Sequence, residues 1–141
     1  MSEEMTGEEI DAFLAEPRMA HFATIGSNGE PHVRPVWYLW RYGILWMTTR
    51  RNVRDTGRDL DAHPEVAVSI ASEERPYRAV VVHGRPEVLP KDEQLLLDIS
   101  TRYGEELGRG WVSIAMRQSD RVILKLEPDT LISWDYGKGD D

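Results

Sequence analysis

Residues 31–40, PHVRPVWYLW, constrain the fold more than any other stretch of this chain. A strand shows alternate side chains to opposite faces. The even positions are His32, Arg34, Val36, Tyr38 and Trp40, and the odd ones Pro31, Val33, Pro35, Trp37 and Leu39. Both faces therefore carry large apolar or aromatic groups. Such a strand needs a core on one side and a ligand, a partner subunit or both on the other. Pro35 has no N–H to give to a ladder, which predicts an edge strand or a bulge there.

The flanking segments extend this strand into a mainly β fold. Residues 19–26 form a strand, and Asn28-Gly29 after it is a strong hairpin signal because both residues tolerate positive φ. Residues 41–43 turn the chain into a third strand, 44–49, and an arginine-rich loop, 50–54, leads into a short helix over 55–62. Strands follow over 66–71, with small residues on one face that leave room for a close approach, and over 77–88, bent near Gly84 and Pro86. A helix runs from Pro90 to about Tyr103 with Leu95, Leu96 and Ile99 inward, 105–110 reads as a loop or turn, and 111–116 fits helix or strand. Residues 121–127 alternate cleanly, with Val122, Leu124 and Leu126 inward and Arg121, Ile123, Lys125 and Glu127 outward, and 131–136 form the last strand. Before all of these, Thr6 and Glu9 have capping-box spacing, so 7–16 read as an amphipathic helix stopped by Pro17. The tail, 137–141, reads as disordered. Six or seven mostly antiparallel strands with two or three helices point to a single domain over 1–141, a small closed or split β-barrel, since closure removes exposed edges.

Composition narrows the function. The net charge is −8, which disfavours nucleic acid and anionic membranes as partners. There is no cysteine, so disulfides and thiolate chemistry are excluded, in keeping with a cytoplasmic location. No apolar run reaches the roughly 20 residues of a membrane span. The four histidines, His21, His32, His63 and His83, show no metal-ligand spacing, and no GxGxxG or Walker pattern is present.

One window stands out chemically. Arg50, Arg51, Arg54 and Arg58 crowd into nine residues opposed inside them only by Asp55. Arginine forks pair with phosphate or carboxylate oxygens. Thr48 and Thr49 could donate hydroxyl hydrogen bonds to the same anion, and a helix starting near Asn52 would add backbone N–H groups. On spacing alone the simpler account is a solvated turn paired with Asp55, Asp59 and Asp61. The five tryptophans, 37, 40, 46, 111 and 134, serve as core or interface anchors, with one or two able to wall a flat ring.

Taken in order, HFATIGSNGEPHVRPVWYLW, GILWMTTRR, DLDAHPEVAVSI, PYRAVVVHGRPEVL and LISWDY resemble the pyridoxamine-5'-phosphate-oxidase-like split β-barrel family, in its small flavin or deazaflavin oxidoreductase branch. The resemblance implies a six-stranded antiparallel split barrel that forms a homodimer with cofactor sites at the interface. The implied cofactor is FMN first, the deazaflavin F(420) as alternative, and haem behind both. It places the ring along Arg34, Pro35, Val36 and Trp37 and the phosphate at Thr48, Thr49, Arg50 and Arg54, and assigns no catalytic side chain. The implied function is hydride transfer to or from a small molecule; the alternative is a non-catalytic flavin or haem carrier of the same fold. A barrel binding an acidic peptide or single strand through its Arg–Trp surface is a third reading, opposed by the acidic charge. The chain departs from the family pattern at Asp55, where a basic residue often follows. A carboxylate beside a phosphate costs affinity, and Arg50, Arg51 or Arg58 would then have to substitute.

Overall fold

A computed structural model describes residues 3–138. α1 (Gly7–Leu14) opens with both bonds of the capping box, Glu9 N–H to Thr6 Oγ1 at 3.2 Å and Thr6 N–H to Glu9 Oε1 at 2.8 Å. It buries Phe13 and Leu14. β1 (Ala20–Ile25) and β2 (Pro31–Val36) form the expected hairpin, in which Gly29 takes φ +85 while Asn28 stays at ordinary φ. β3 (Tyr38–Arg41) and β4 (Ile44–Arg50) form a second hairpin around Tyr42 and Gly43, both at positive φ, as a two-residue turn demands.

The single strand expected over 31–40 is thus two strands in two sheets. β2 is the edge of a five-stranded sheet ordered β2-β1-β5-β6-β9, with β5 (Val66–Ala71), β6 (Arg78–Gly84) and β9 (Thr130–Asp135). β3 is the edge of a four-stranded sheet ordered β3-β4-β8-β7, with β7 (Glu87–Pro90) and β8 (Arg121–Leu126). The chain changes sheet at Trp37. It changes again at Arg85 and Pro86, so the strand expected over 77–88 is also divided. Gly84 permits that second bend, since a Cβ there would lie 2.9 Å from Leu126 Cδ1 and 3.1 Å from the Glu127 carbonyl oxygen. With the two crossing strands counted whole, β1, β2–β3, β4, β8, β7–β6 and β5 are the six strands of an antiparallel split barrel, and β9 adds a seventh on β6.

Two cores result. Phe22, Tyr38, Met47, Val68, Ile70, Val82 and Leu124 fill the space between the sheets, with Phe13 and Leu14 closing one end. A second cluster, Leu96, Ile99, Val112, Ala115 and Ile123, lies under α3 (Glu93–Ser100) and α4 (Glu105–Met116) and receives Trp37 and Leu39. The second face of residues 37 and 39 is therefore covered by the chain's own helices, while Val33 remains 68% exposed. Ile123, expected outward, is fully buried because those helices cover the outer face of β8. Residues 105–110, expected as a loop or turn, begin α4. Gly108 lets α4 press on the end of α3, where a Cβ would meet the Ser100–Thr101 backbone at 2.6 Å. The small residues Ala67 and Ser69 of β5 alternate with the buried Val66, Val68 and Ile70 and point away from the core.

Residues 136–138, whose last two fall in the expected tail, form a 3-10 turn. Lys138 Nζ reaches Glu9 Oε1 at 2.7 Å and the Glu4 carbonyl at 3.0 Å. That hydrogen bond, with a second from Thr6 N–H, lowers the Glu9 pKa to about 2. Residues 139–141 lie outside the described chain. Among the described residues no helix is long and apolar enough to cross a membrane.

Candidate functional site

The seam where the chain leaves one sheet for the other opens as a cleft of about 340 Å³. That is within the roughly 300–1,000 Å³ typical of small-molecule sites. All eight residues singled out from the sequence line it: Arg34, Pro35, Val36 and Trp37 from the crossing strand, Thr48, Thr49 and Arg50 from β4, and Arg54 from the following loop. The structure adds Met19, Val53, Thr56, Trp111 and Arg121, which sequence reading did not place there.

Arg34 is deeply buried, at 5% exposure, and both of its terminal nitrogens donate inside the protein. It donates to Thr24 Oγ1 at 3.0 Å, to the Arg54 carbonyl at 3.2 Å and toward Asp59 Oδ2 at 3.5 Å. Burial pulls its pKa down, against the pull of the Asp59 charge. Asp59, on α2 (Thr56–Ala62), also accepts from Thr24 Oγ1 and pairs with His32 Nδ1, both at 2.6 Å. Burial opposes its charge, but the hydrogen bonds from Thr24 and His32 outweigh that and hold its carboxyl below its ordinary value. Asp59 Oδ1 is buried without a partner. The network ties β1, β2 and α2 together and fixes the backbone at Arg54.

The other guanidinium groups of the cleft are less committed. Arg50 Nε donates to Asp120 Oδ1 at 2.9 Å, and that bond lowers the Asp120 pKa. Arg121 donates to Gln118 Oε1 and lies over the Trp111 ring, 5.1 Å from its centroid. Arg54 has no side-chain partner among the described residues. The two threonines differ. Thr48 Oγ1 donates to the Val122 carbonyl at 2.9 Å, so the expected donation to an anion is not available in this state, whereas the Thr49 hydroxyl has no partner among the described residues.

Several expectations about the arginine loop change. Arg54 and Asp55 both take left-handed φ, 53 and 58, and α2 begins only at Thr56. A helix starting near Asn52 is therefore not present. The Thr56 and Gly57 N–H groups are taken by the Val53 and Arg51 carbonyls, which removes them as anion donors. Arg51 pairs with both oxygens of Asp61 at 3.2 Å, and with Arg58 it lines a separate surface depression. Neither reaches the cleft, so of the expected substitutes only Arg50 does. Asp55 is exposed and lines an adjoining groove with His32 and Arg54, not the cleft itself.

An aromatic wall adjoins these cations, with Arg121 lying over its Trp111. Trp37 stacks on Tyr103 with centroids 4.9 Å apart and planes 9° off parallel, and meets Trp111 edge-on at 5.3 Å. Tyr103 is itself pinned, donating to the Arg18 carbonyl at 2.7 Å and accepting from Tyr38 N–H at 3.1 Å. Among the described residues no carboxylate or imidazole lines the cleft. The site thus offers a flat apolar wall, a cationic end and no general acid or base of ordinary pKa.

A family model described as pyridoxamine 5'-phosphate oxidase matches residues 6–135. The chain belongs to the pyridoxamine 5'-phosphate oxidase family. Solved structures agree with that membership. A conserved hypothetical protein from Mycobacterium tuberculosis superposes with TM-score 0.77 at 24% identity, covering 94% of this chain and 86% of that one. A protein described as an F(420) reductase gives TM-score 0.68 at 25% identity over 86% and 94% of the two chains. HutZ, the haem storage protein of Vibrio cholerae, gives 0.70 at 17% over 90% and 94%. No curated protein sequence matches significantly. Proteins of this fold thus include ones named for F(420), FAD and haem.

Proposed function

We propose that this protein is an oxidoreductase that holds FMN, or else the deazaflavin F(420), in the cleft and acts on a small molecule. The observation that carries the reading is the pairing of a Trp37–Trp111 wall with a cationic end in one cleft. The donor set suits a phosphate-tailed aromatic: Thr49, Arg50 and Arg54 would hold the phosphate, while Pro35, Val36 and Trp37 would border the ring. A bound flavin supplies the hydride chemistry, and the protein supplies placement. Arg34 and Asp59 keep the Arg54 backbone in place for that task.

The lack of any carboxylate or imidazole in the cleft among the described residues also suits a carrier that binds a flavin or haem without turnover. A spectroscopic titration of the purified protein with FMN, F(420) and haemin separates the cofactors. Turnover of the bound flavin with a reduced pyridine nucleotide and electron acceptors then divides enzyme from carrier. No change in any cofactor spectrum at micromolar protein would remove both readings. We also propose a cytoplasmic location, in keeping with a chain that has no cysteine, which cell fractionation tests.

A second copy of the chain is the partner we assign to the outer face of the five-stranded sheet. Val33, 68% exposed, and Ile132, 52% exposed, lie on that face with the small Ala67 and Ser69 between them. Light scattering should report a dimer, and Val33→Glu with Ile132→Glu should yield monomer. A wild-type monomer at micromolar concentration would refute the assignment.

A further inference from the structure

β4 and β8 pair so that Arg50 stands directly opposite Arg121. Like charges directly opposite on a ladder repel, yet both side chains line the cleft. Asp120 is the carboxylate beside them, and each of its oxygens is engaged by a neighbour other than Arg121. One oxygen takes Arg50 Nε at 2.9 Å and the other takes the Asn52 N–H at 3.3 Å. Arg121 is left with neutral partners: Gln118 Oε1, at 2.9 Å from Nε and 2.6 Å from Nη2, a long 3.5 Å contact from Nη1 to Thr48 Oγ1, and the Trp111 ring. A guanidinium keeps its proton in proteins, so this half-buried charge has Asp120 near it but no direct ion pair among the described residues, while Nη1 retains donors to give.

The charges of the cleft support the same point. Of its guanidinium groups, Arg34 is matched by Asp59 and Arg50 by Asp120. Arg54 and Arg121 have no carboxylate partner among the described residues, and the exposed Asp55 belongs to the adjoining groove. Two unmatched positive charges complement a phosphate monoester, which carries about −1.5 to −2 at pH 7.

We propose that Arg121 is a ligand-binding residue which, with Arg54, makes a dianion subsite selecting a phosphate monoester over an uncharged end group. This rests on the cleft being the cofactor site and adds to it a β8 residue, 67 positions beyond Arg54 in the chain. Trp111 and Gln118 hold the guanidinium plane, so Lys at 121 would keep the charge and lose the fork.

The test compares full-length wild type, Arg121→Gln and Arg121→Lys. Each is titrated with FMN and with riboflavin, which lacks the phosphate, and its thermal unfolding is followed with and without inorganic phosphate. Arg121→Gln is expected to weaken FMN about 10–100-fold, the loss of one charge-assisted interaction, and to leave riboflavin unchanged. Arg121→Lys should fall between the two. FMN affinities equal to wild type in both variants would overturn the proposal, and so would equal losses for FMN and riboflavin. Should wild type bind no flavin, the flavin reading fails by itself. The Arg121 assignment then stands if phosphate raises the unfolding temperature of wild type and not of Arg121→Gln, and falls if the two respond alike or neither responds.

Discussion

His32 Nδ1 stands 2.6 Å from Asp59 Oδ2, joining the edge strand of the five-stranded sheet to the helix that follows the arginine loop. The same oxygen receives Thr24 and faces Arg34, so one carboxylate on α2 holds polar groups of two neighbouring strands, β1 and β2, in register beside the cleft. Asp59 is 1% exposed and Arg34 5%. Removing one member of a buried pair leaves the other charge uncompensated. Asp59→Ala should therefore destabilise the fold by roughly 3–5 kcal/mol, read from denaturant unfolding. A loss within error of a surface substitution would contradict the buried pairing.

The pair also has a pH signature. The hydrogen bond to Asp59, with its charge, raises the His32 pKa above its ordinary 6.5, and Asp59 sits below its ordinary 3.8. Protonated His32 stabilises the fold fully below pH 6.5, and that contribution disappears as pH rises through its raised pKa. Ionised Asp59 stabilises above pH 3.8, and that contribution disappears as pH falls through its lowered pKa. The unfolding temperature should fall on the alkaline side of pH 6.5 in wild type and much less in His32→Gln. Parallel curves for the two proteins would exclude the His32 contribution.

Arg54 and Asp55 are adjacent and both left-handed, yet only Arg54 lines the cleft. Arg54→Ala should weaken FMN about 10–100-fold while leaving the far-ultraviolet spectrum and oligomeric state intact. Asp55→Ala should change FMN affinity by no more than about twofold, because the exposed carboxylate is screened and outside the cleft. An Asp55→Ala variant that bound FMN about tenfold more tightly would show that the carboxylate does oppose the phosphate.

Tyr103 supports the aromatic wall from behind. Its hydroxyl serves the Arg18 carbonyl and the Tyr38 N–H, while its ring carries Trp37. Tyr103→Phe keeps the stack and loses the hydroxyl, at an expected cost of about 1–3 kcal/mol from the two backbone groups left unpaired. Tyr103→Ala should in addition change the tryptophan fluorescence and lower flavin affinity. If Tyr103→Ala bound flavin as wild type does, the stack would have no part in shaping the cleft.

Local chemistry made much of this fold legible. The Thr6–Glu9 box starts α1, Gly29 and Tyr42-Gly43 set two hairpins, and Pro35 lies on an edge strand as its missing N–H requires. The resemblance in order and spacing brought together eight residues that do line one cleft. Other expectations failed where the answer depended on what lies across the sheet. The burial of Ile123 and the seating of Trp37, where residues 31–40 divide, go with α3 and α4 packing on the outer face of the four-stranded sheet.

The sequence by itself determined the β-rich class, the turns and the position of the basic loop, because backbone dihedral preferences and side-chain periodicity act over a few residues. Only the tertiary structure decided which arginines are matched. Arg34 meets Asp59 across 25 residues, and Arg50 meets Asp120 across 70. Arg121 comes opposite Arg50 through strand register alone. Charge compensation depends on distance in space, and in a split barrel that distance is set by which strands pair.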